Sequence, residues 1–223
     1  KTAYEIIAQA AAGVSSMYEI PQGSPISAAD IMAGMNAAVA VLGALYAKKI
    51  HGCGQNIDIS MMDSLLAINE NYLPWYTMSQ AVGETINTPP LGRYYRDYAP
   101  FGIYEGKDGR VNIACLEEQR WPALVAAMGD EYAWLVDDPR TTDVSTRCSN
   151  ATWLNQVIDE WVMSMDSVKE VEKRLTDAGV ACQRVLTIPE LVDTDPHVKA
   201  RDMIVEIEQP FLGPIKIANS AIK

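Results

Sequence analysis

The sequence predicts an α/β arrangement followed by a second, smaller α+β domain, and three observations carry that prediction. Up to residue 81 the chain reads helix, glycine turn, short alternating strand, helix. At residue 83 the texture changes to Gly, Pro, Asn and Thr, then to basic and aromatic residues. Beyond that stretch the chain carries its own hairpin signal and its own helices.

Residues 4–17 are apolar at helical spacing, and the small Ala8, Ala10, Ala11, Ala12 and Gly13 permit close helix packing. Residues 31–49 form a second helix, apolar nearly all round, which is expected to be buried on most sides. His51-Gly52-Cys53-Gly54-Gln55 ends it with two glycines. Residues 56–60 alternate as a short strand, and 61–81 read as a third helix. These elements lack the repeated strands of a complete sheet, so residues 1–82 read as the end of a larger domain. Residues 83–95 are a linker or binding loop. Strands at 101–104 and 110–115 flank Glu105-Gly106-Lys107-Asp108-Gly109. Helices follow at 118–128, stopped by Gly129, at 152–163, and at 167–178 between Ser167 and Gly179. The smaller domain spans 83–190. The tail, 191–223, alternates at 203–208 and 215–218 as edge or returning strands.

Composition excludes several function classes. The 223 residues are 48% hydrophobic and 21% charged, which suits a packed core and not a disordered chain. A net charge of −11 with no basic stretch argues against a nucleic-acid partner. Four cysteines without a CxxC pair, beside two histidines, argue against a metal and for the reducing cytoplasm. The longest apolar run, 31–47, is rich in Ala and Gly, is interrupted by Asn36, and reads as a core helix shorter than a membrane span. No signal peptide is visible, and an opening Lys-Thr in place of Met points to a missing upstream portion.

One carboxylate stands out. Asp30 lies where the loop Ser24-Pro25-Ile26-Ser27 gives way to the apolar helix, at the position of an N-cap. Two readings are open there. The side chain caps the helix, or it is a nucleophile whose negative charge the helix N-terminus steadies.

Several segments together resemble one family. Tyr4-Glu5 with Gln9 and Gly13, Asp30-Ile31 with Ala33-Gly34, and His51-Gly52 with Gly54-Gln55 come first. Ile57-Asp58-Ile59-Ser60-Met61 with Asp63, then Tyr98-Ala99-Pro100-Phe101-Gly102 with Asp108-Gly109, follow in order. Trp121, Asp138-Pro139-Arg140, Ala178-Gly179-Val180, Asp195-Pro196-His197-Val198, Val205-Glu206 and Gly213-Pro214 complete the series. The set is similar to the class III CoA-transferases, which include carnitine CoA-transferase and formyl-CoA transferase. The resemblance covers nearly the whole chain, although family members are roughly twice as long.

The resemblance implies the C-terminal part of a large Rossmann-like α/β domain over 1–82, a small α+β domain over 83–190, and a return to the large domain over 191–223. It implies an acyl-CoA donor, a carboxylic acid acceptor, and two interlocked chains forming a homodimer, with coenzyme A as substrate and no metal, membrane or nucleic acid. It implies that Asp30 attacks the thioester and carries the CoA as an aspartyl intermediate. Such a nucleophile is already ionised at neutral pH and needs no general base. Tyr4 and Glu5 match positions beside the nucleophile, with Tyr4 orienting the carboxylate and Glu5 shaping polarity; a plain helix start accounts for both equally. Met61 matches a position near the CoA thiol arm, and its alternative is plain core packing. Arg93 and Arg96 are candidates for a substrate carboxylate or are simply solvated. The family's α-methylacyl-CoA racemases form the alternative, but Tyr4 stands where their histidine falls, leaving Glu105, which matches a supporting glutamate, without its partner. A non-catalytic subunit of a heteromeric transferase is the other alternative, against which Asp30 itself argues. Gly92, Gly102, Gly106 and Gly109 are isolated where formyl-CoA transferases carry a glycine run, so a larger or more apolar acid than oxalate is expected.

Overall fold

Alanine-rich helices and a glycine-punctuated hairpin organise two separate units. A computed structural model describes residues 4–18, 20, 22–83, 92–95 and 98–222. Most of the 83–95 linker, residues 84–91, and Arg96 lie outside the described residues. The chain divides into Lys1–Arg93 and Tyr94–Lys223.

In the first unit, α1 (Glu5–Ala11) is shorter than its apolar periodicity predicts. Gly13, with φ of 79°, turns the chain into a single 3₁₀ turn at Val14–Met17. That left-handed conformation costs glycine little and other residues much, so the helix ends there. Helix α2 (Ala28–His51) runs 24 residues and stops at Gly52, whose N–H bonds the Lys48 carbonyl. The predicted third helix is two: α3 (Met61–Ala67) and α4 (Tyr72–Ala81). Pro74 explains the break, because within a continuous helix it would lack its N–H bond and clash with the Glu70 carbonyl. In the first turn of α4 it does neither. Residues 56–60 form no strand, because an alternating segment becomes one only with a ladder partner, and none pairs with it among the described residues.

A second correction concerns burial. The sequence predicts α2 to be covered on most sides, yet Ala29 is its only buried residue. Ile31, Met35, Val39, Leu42, Leu45, Tyr46 and Ile50 are all more than half exposed. Its neighbours in the unit are the short α1 and α3, to which Asn36 ties it by donating to Ser64 Oγ at 3.1 Å. Two short helices cannot cover a long helix that is apolar all round. By length and hydropathy alone, with a mean of 1.6, α2 is also long enough to cross a membrane, contrary to the sequence expectation. The unit's buried apolar cluster is small: Ala8, Ala12, Ala29 and Leu65, with Val14, Ala28, Met61 and Leu66 packed against it.

The second unit is built on an antiparallel sheet in the order β1-β2-β3. Strands β1 (Phe101–Gly106) and β2 (Gly109–Ala114) form the predicted hairpin, paired from Phe101–Ala114 to Gly106–Gly109. Strand β3 (Ala181–Arg184), which the sequence reading does not contain, pairs with β2. Helices α5 (Trp121–Met128), α6 (Val144–Ser149), α7 (Ala151–Ser164) and α8 (Val168–Asp177) lie between them in sequence. Helices α7 and α8 cover the sheet, and Tyr104, Ile113, Leu154, Ile158, Trp161, Val171 and Leu175 are almost fully buried in the resulting core. A Cβ at Gly106 would stand 2.5 Å from Val168 Cγ1, so the hairpin approaches α8 closely only because that residue is glycine. Beyond β3, α9 (Ile188–Asp193) and α10 (Pro196–Ala200) lead to β4 (Ile204–Gln209) and β5 (Gly213–Ala218). The tail strands pair with each other as a separate two-stranded hairpin.

Candidate active site

The first turn of α2 is where the functional residues of the first unit meet. Ser27 is its N-cap and makes no side-chain capping bond, while Ala28, Ala29 and Asp30 are its first three residues. Asp30 is therefore the third residue of the helix, not at the cap position the sequence suggests. The reason is local. Ala28 and Ala29 are strong helix formers without competing side-chain hydrogen bonds, so the helix starts ahead of the carboxylate.

The capping group comes from another helix. Glu5, the first residue of α1, accepts the Ala29 N–H on Oε1 at 3.0 Å and the Asp30 N–H on Oε2 at 2.9 Å. These are free donors of the α2 N-terminus, where a carboxylate is also favoured by the helix dipole. Partial burial opposes ionisation of Glu5. The Gln9, Ala29 and Asp30 donors outweigh it and hold the carboxyl below its ordinary value. Glu5 is thus the anion that closes the helix. The Asp30 side chain is exposed, and among the described residues no hydrogen bond or ion pair reaches its carboxylate.

The structure brings Asp30 and Glu5 together through the Asp30 backbone. Tyr4 is the N-cap of α1, and its carbonyl accepts from the Ile7 and Ala8 N–H groups. Its side chain is 73% exposed, and its hydroxyl makes no bond to Asp30 among the described residues. Met61 opens α3 and is partly buried against the cluster that contains Ala29. Arg93 ends the first unit, and Arg96 lies outside the described residues. Beside the site a cavity of about 290 Å³ is lined by Val14, Met17, Tyr18, Ser24, Ala28, Leu65, Ile68 and Tyr72, among others. Its wall is mainly apolar and reaches α2 at Ala28.

Sequence reasoning named Gln9 only as part of a motif. Its side chain is fully buried, donates to Glu5 Oε1 at 2.6 Å and accepts from the Ser24 N–H at 2.8 Å. The available signal was a long polar residue one helical turn from Glu5 inside an alanine-rich helix face. Two of the four cysteines are poor nucleophiles. Burial pushes the Cys115 thiol up to about 11 and the Cys182 thiol up to about 12, so both are protonated at neutral pH.

Comparison with known proteins follows the same lines. The sequence profile of CoA-transferase family III matches residues 1–223. A succinyl-CoA–D-citramalate CoA-transferase of Chloroflexus aurantiacus is 28% identical, over 98% of this chain and 54% of its own length. The beta subunit of a succinyl-CoA–L-malate CoA-transferase of the same organism is also 28% identical, over 97% of this chain and 53% of its own. The chain therefore spans about half the length of these relatives. A CAIB/BAIF family protein of Brucella suis superimposes with a TM-score of 0.78 at 23% identity, covering 100% of this chain and 56% of that one.

Proposed function

The chain belongs to CoA-transferase family III, and from that premise we propose that the whole protein moves coenzyme A from an acyl-CoA to a carboxylic acid through Asp30. The observation that carries this reading is the division of labour between two carboxylates. Glu5 occupies the N-terminal amides of α2, so the Asp30 carboxylate is exposed and not committed to capping.

In this reading Asp30 attacks the donor thioester carbonyl. The C–S bond breaks, giving a mixed anhydride and the CoA thiolate. The thiolate attacks the aspartyl carbonyl of that anhydride, releasing the donor as a free carboxylate and leaving an aspartyl-CoA thioester. The acceptor carboxylate displaces the thiolate again to form a second anhydride. The thiolate then attacks the acceptor's carbonyl, producing the new thioester and restoring Asp30. No net proton or electron is required. The anhydrides demand a site with little water, and the apolar groove at Ala28 is a suitable wall for the acyl chain.

Residues 1–82 then close the large domain, 83–190 form the small domain, and 191–223 return to the large one. Tyr4 is assigned to orienting the nucleophile, although its hydroxyl makes no bond to Asp30 among the described residues, and Met61 is assigned to the CoA thiol arm. The named relatives act with succinyl-CoA, so a dicarboxylic donor and acceptor are the first pair to test. We read the assembly as an interlocked homodimer in the cytoplasm; a relative named as a beta subunit makes a mixed assembly the outcome that native mass spectrometry must distinguish.

The test is chemical trapping. The full protein is incubated with succinyl-CoA, treated with hydroxylamine, and digested for mass spectrometry. A hydroxamate on Asp30 is expected, dependent on the acyl-CoA. Turnover without any modification at Asp30, or modification at another residue, defeats the reading.

A further inference from the structure

The fully buried Gln9 is a costly residue to place among alanines unless both ends of its amide are used. Both are. Its Oε1 accepts the Ser24 N–H at 2.8 Å, which settles the amide orientation, because a backbone N–H can only meet the oxygen. Its Nε2 must then face Glu5 Oε1, to which it donates at 2.6 Å. The same Glu5 oxygen accepts the Ala29 N–H, and its partner oxygen accepts that of Asp30. A continuous relay thus runs from the loop before α2, through α1, to the backbone of Asp30.

We propose that Gln9 is a positioning residue for the acyl-transfer step: it holds the Glu5 carboxylate on the first turn of α2, so that Glu5 closes the helix and the Asp30 carboxylate stays free to react. The assignment rests on the acyl-transfer reading only for its effect on turnover; its effect on the α2 N-terminus is independent. Gln9 touches neither substrate nor the reacting atoms. Its influence passes through Glu5, whose geometry sets the backbone position of Asp30. Small displacements of a reacting group are expensive, about a hundredfold in rate for 1 Å.

Gln9→Glu and Gln9→Leu, made in the full protein, separate positioning from simple packing. Gln9→Glu keeps the acceptor for Ser24 but sets a carboxylate against Glu5, which is tolerated only when the two share a proton. Its turnover is expected to be about tenfold to a hundredfold below wild type at pH 8 and to recover most of that loss at pH 5.5. Gln9→Leu is expected to lose a similar factor at both pH values. Hydrogen exchange over residues 28–34, corrected for intrinsic rates, supplies the second readout. Protection in Gln9→Glu should fall at pH 8 and return at pH 5.5. A Gln9→Glu protein that matches wild type at both values, is impaired equally at both, or fails to fold at both overturns the assignment. If wild type transfers no CoA, the proposed function fails, and the exchange measurement still decides the role of Gln9.

Discussion

The two units of this chain solve the burial problem differently. Among the described residues the second unit buries twenty apolar side chains in one cluster, including Trp121, Tyr104 and Trp161. The first buries four, three of them alanines, while α2 leaves most of its large apolar side chains exposed. At roughly 1.5–3 kcal/mol for each large apolar side chain buried, the second unit gains far more from burial within the described residues than the first. The candidate nucleophile lies in the first. The proposed nucleophile and the larger buried core thus reside in different parts of the chain.

Two of the helices, α9 and α2, are also closed differently. In the second unit Thr187 and Glu190 form a capping box on α9 itself, with Arg184 pairing to Glu190 at 2.7 Å. In the first, the cap of α2 arrives from residue 5, far away in sequence. A local cap serves stability alone. A cap imported from another helix also fixes where the two helices meet, and here it leaves a second carboxylate free.

The largest expected effect tests the division between chemistry and packing. Asp30→Asn keeps the shape of the side chain and removes the nucleophile, so CoA transfer by the full protein should fall by 10⁴-fold or more, on the order seen when a covalent nucleophile is lost. Its melting temperature should barely move, because the carboxylate makes no hydrogen bond among the described residues. Retained turnover would place the chemistry elsewhere.

A paired measurement sharpens the packing contrast. Leu154→Ala, at a site with 0% exposure, should cost about 2–5 kcal/mol in denaturant unfolding. Leu42→Ala, at 67% exposure, should cost no more than about 0.5 kcal/mol in the 223-residue chain. A loss at Leu42 as large as that at Leu154 breaks the comparison, since it requires α2 to be buried after all.

The smallest effect concerns acid stability. The Thr187 backbone N–H, then Arg184 and the Thr187 hydroxyl, hold Glu190 at about 2 against an ordinary value of 4.5. A carboxyl so lowered stabilises the fold above 4.5 and loses that contribution as the pH falls toward 2. Glu190→Gln should therefore lower the melting temperature slightly at pH 7, with the difference from wild type vanishing near pH 2. A difference that grows on acidification would reverse the sign of the argument.

Much of the fold was legible in the residues. Gly52, Gly129, Ser167 and Gly179 marked helix ends because their chemistry is local. The hairpin followed from alternation around Gly106 and Gly109. Pro74 carried the break between α3 and α4, although apolar periodicity ran straight through it. Strand β3 was not legible, because a four-residue segment is a strand only when β2 lies beside it. The unpaired residues 56–60 show the same rule in reverse. At the site, the ordered motifs singled out Asp30, Glu5 and Tyr4, but the assignment of Asp30 to the cap failed because capping depends on which acceptor reaches the amides in space.

The sequence by itself determined the mixed α/β class, the change of texture between two units, the family, and the acid on which the proposed chemistry turns. Those features depend on short-range preferences and on residue identity. Only the tertiary structure decided which carboxylate closes α2, that Gln9 holds it there, and that α2 remains largely uncovered. Those outcomes depend on groups such as Glu5 and Asp30, distant along the chain, arriving within hydrogen-bonding distance, and no local pattern encodes that approach.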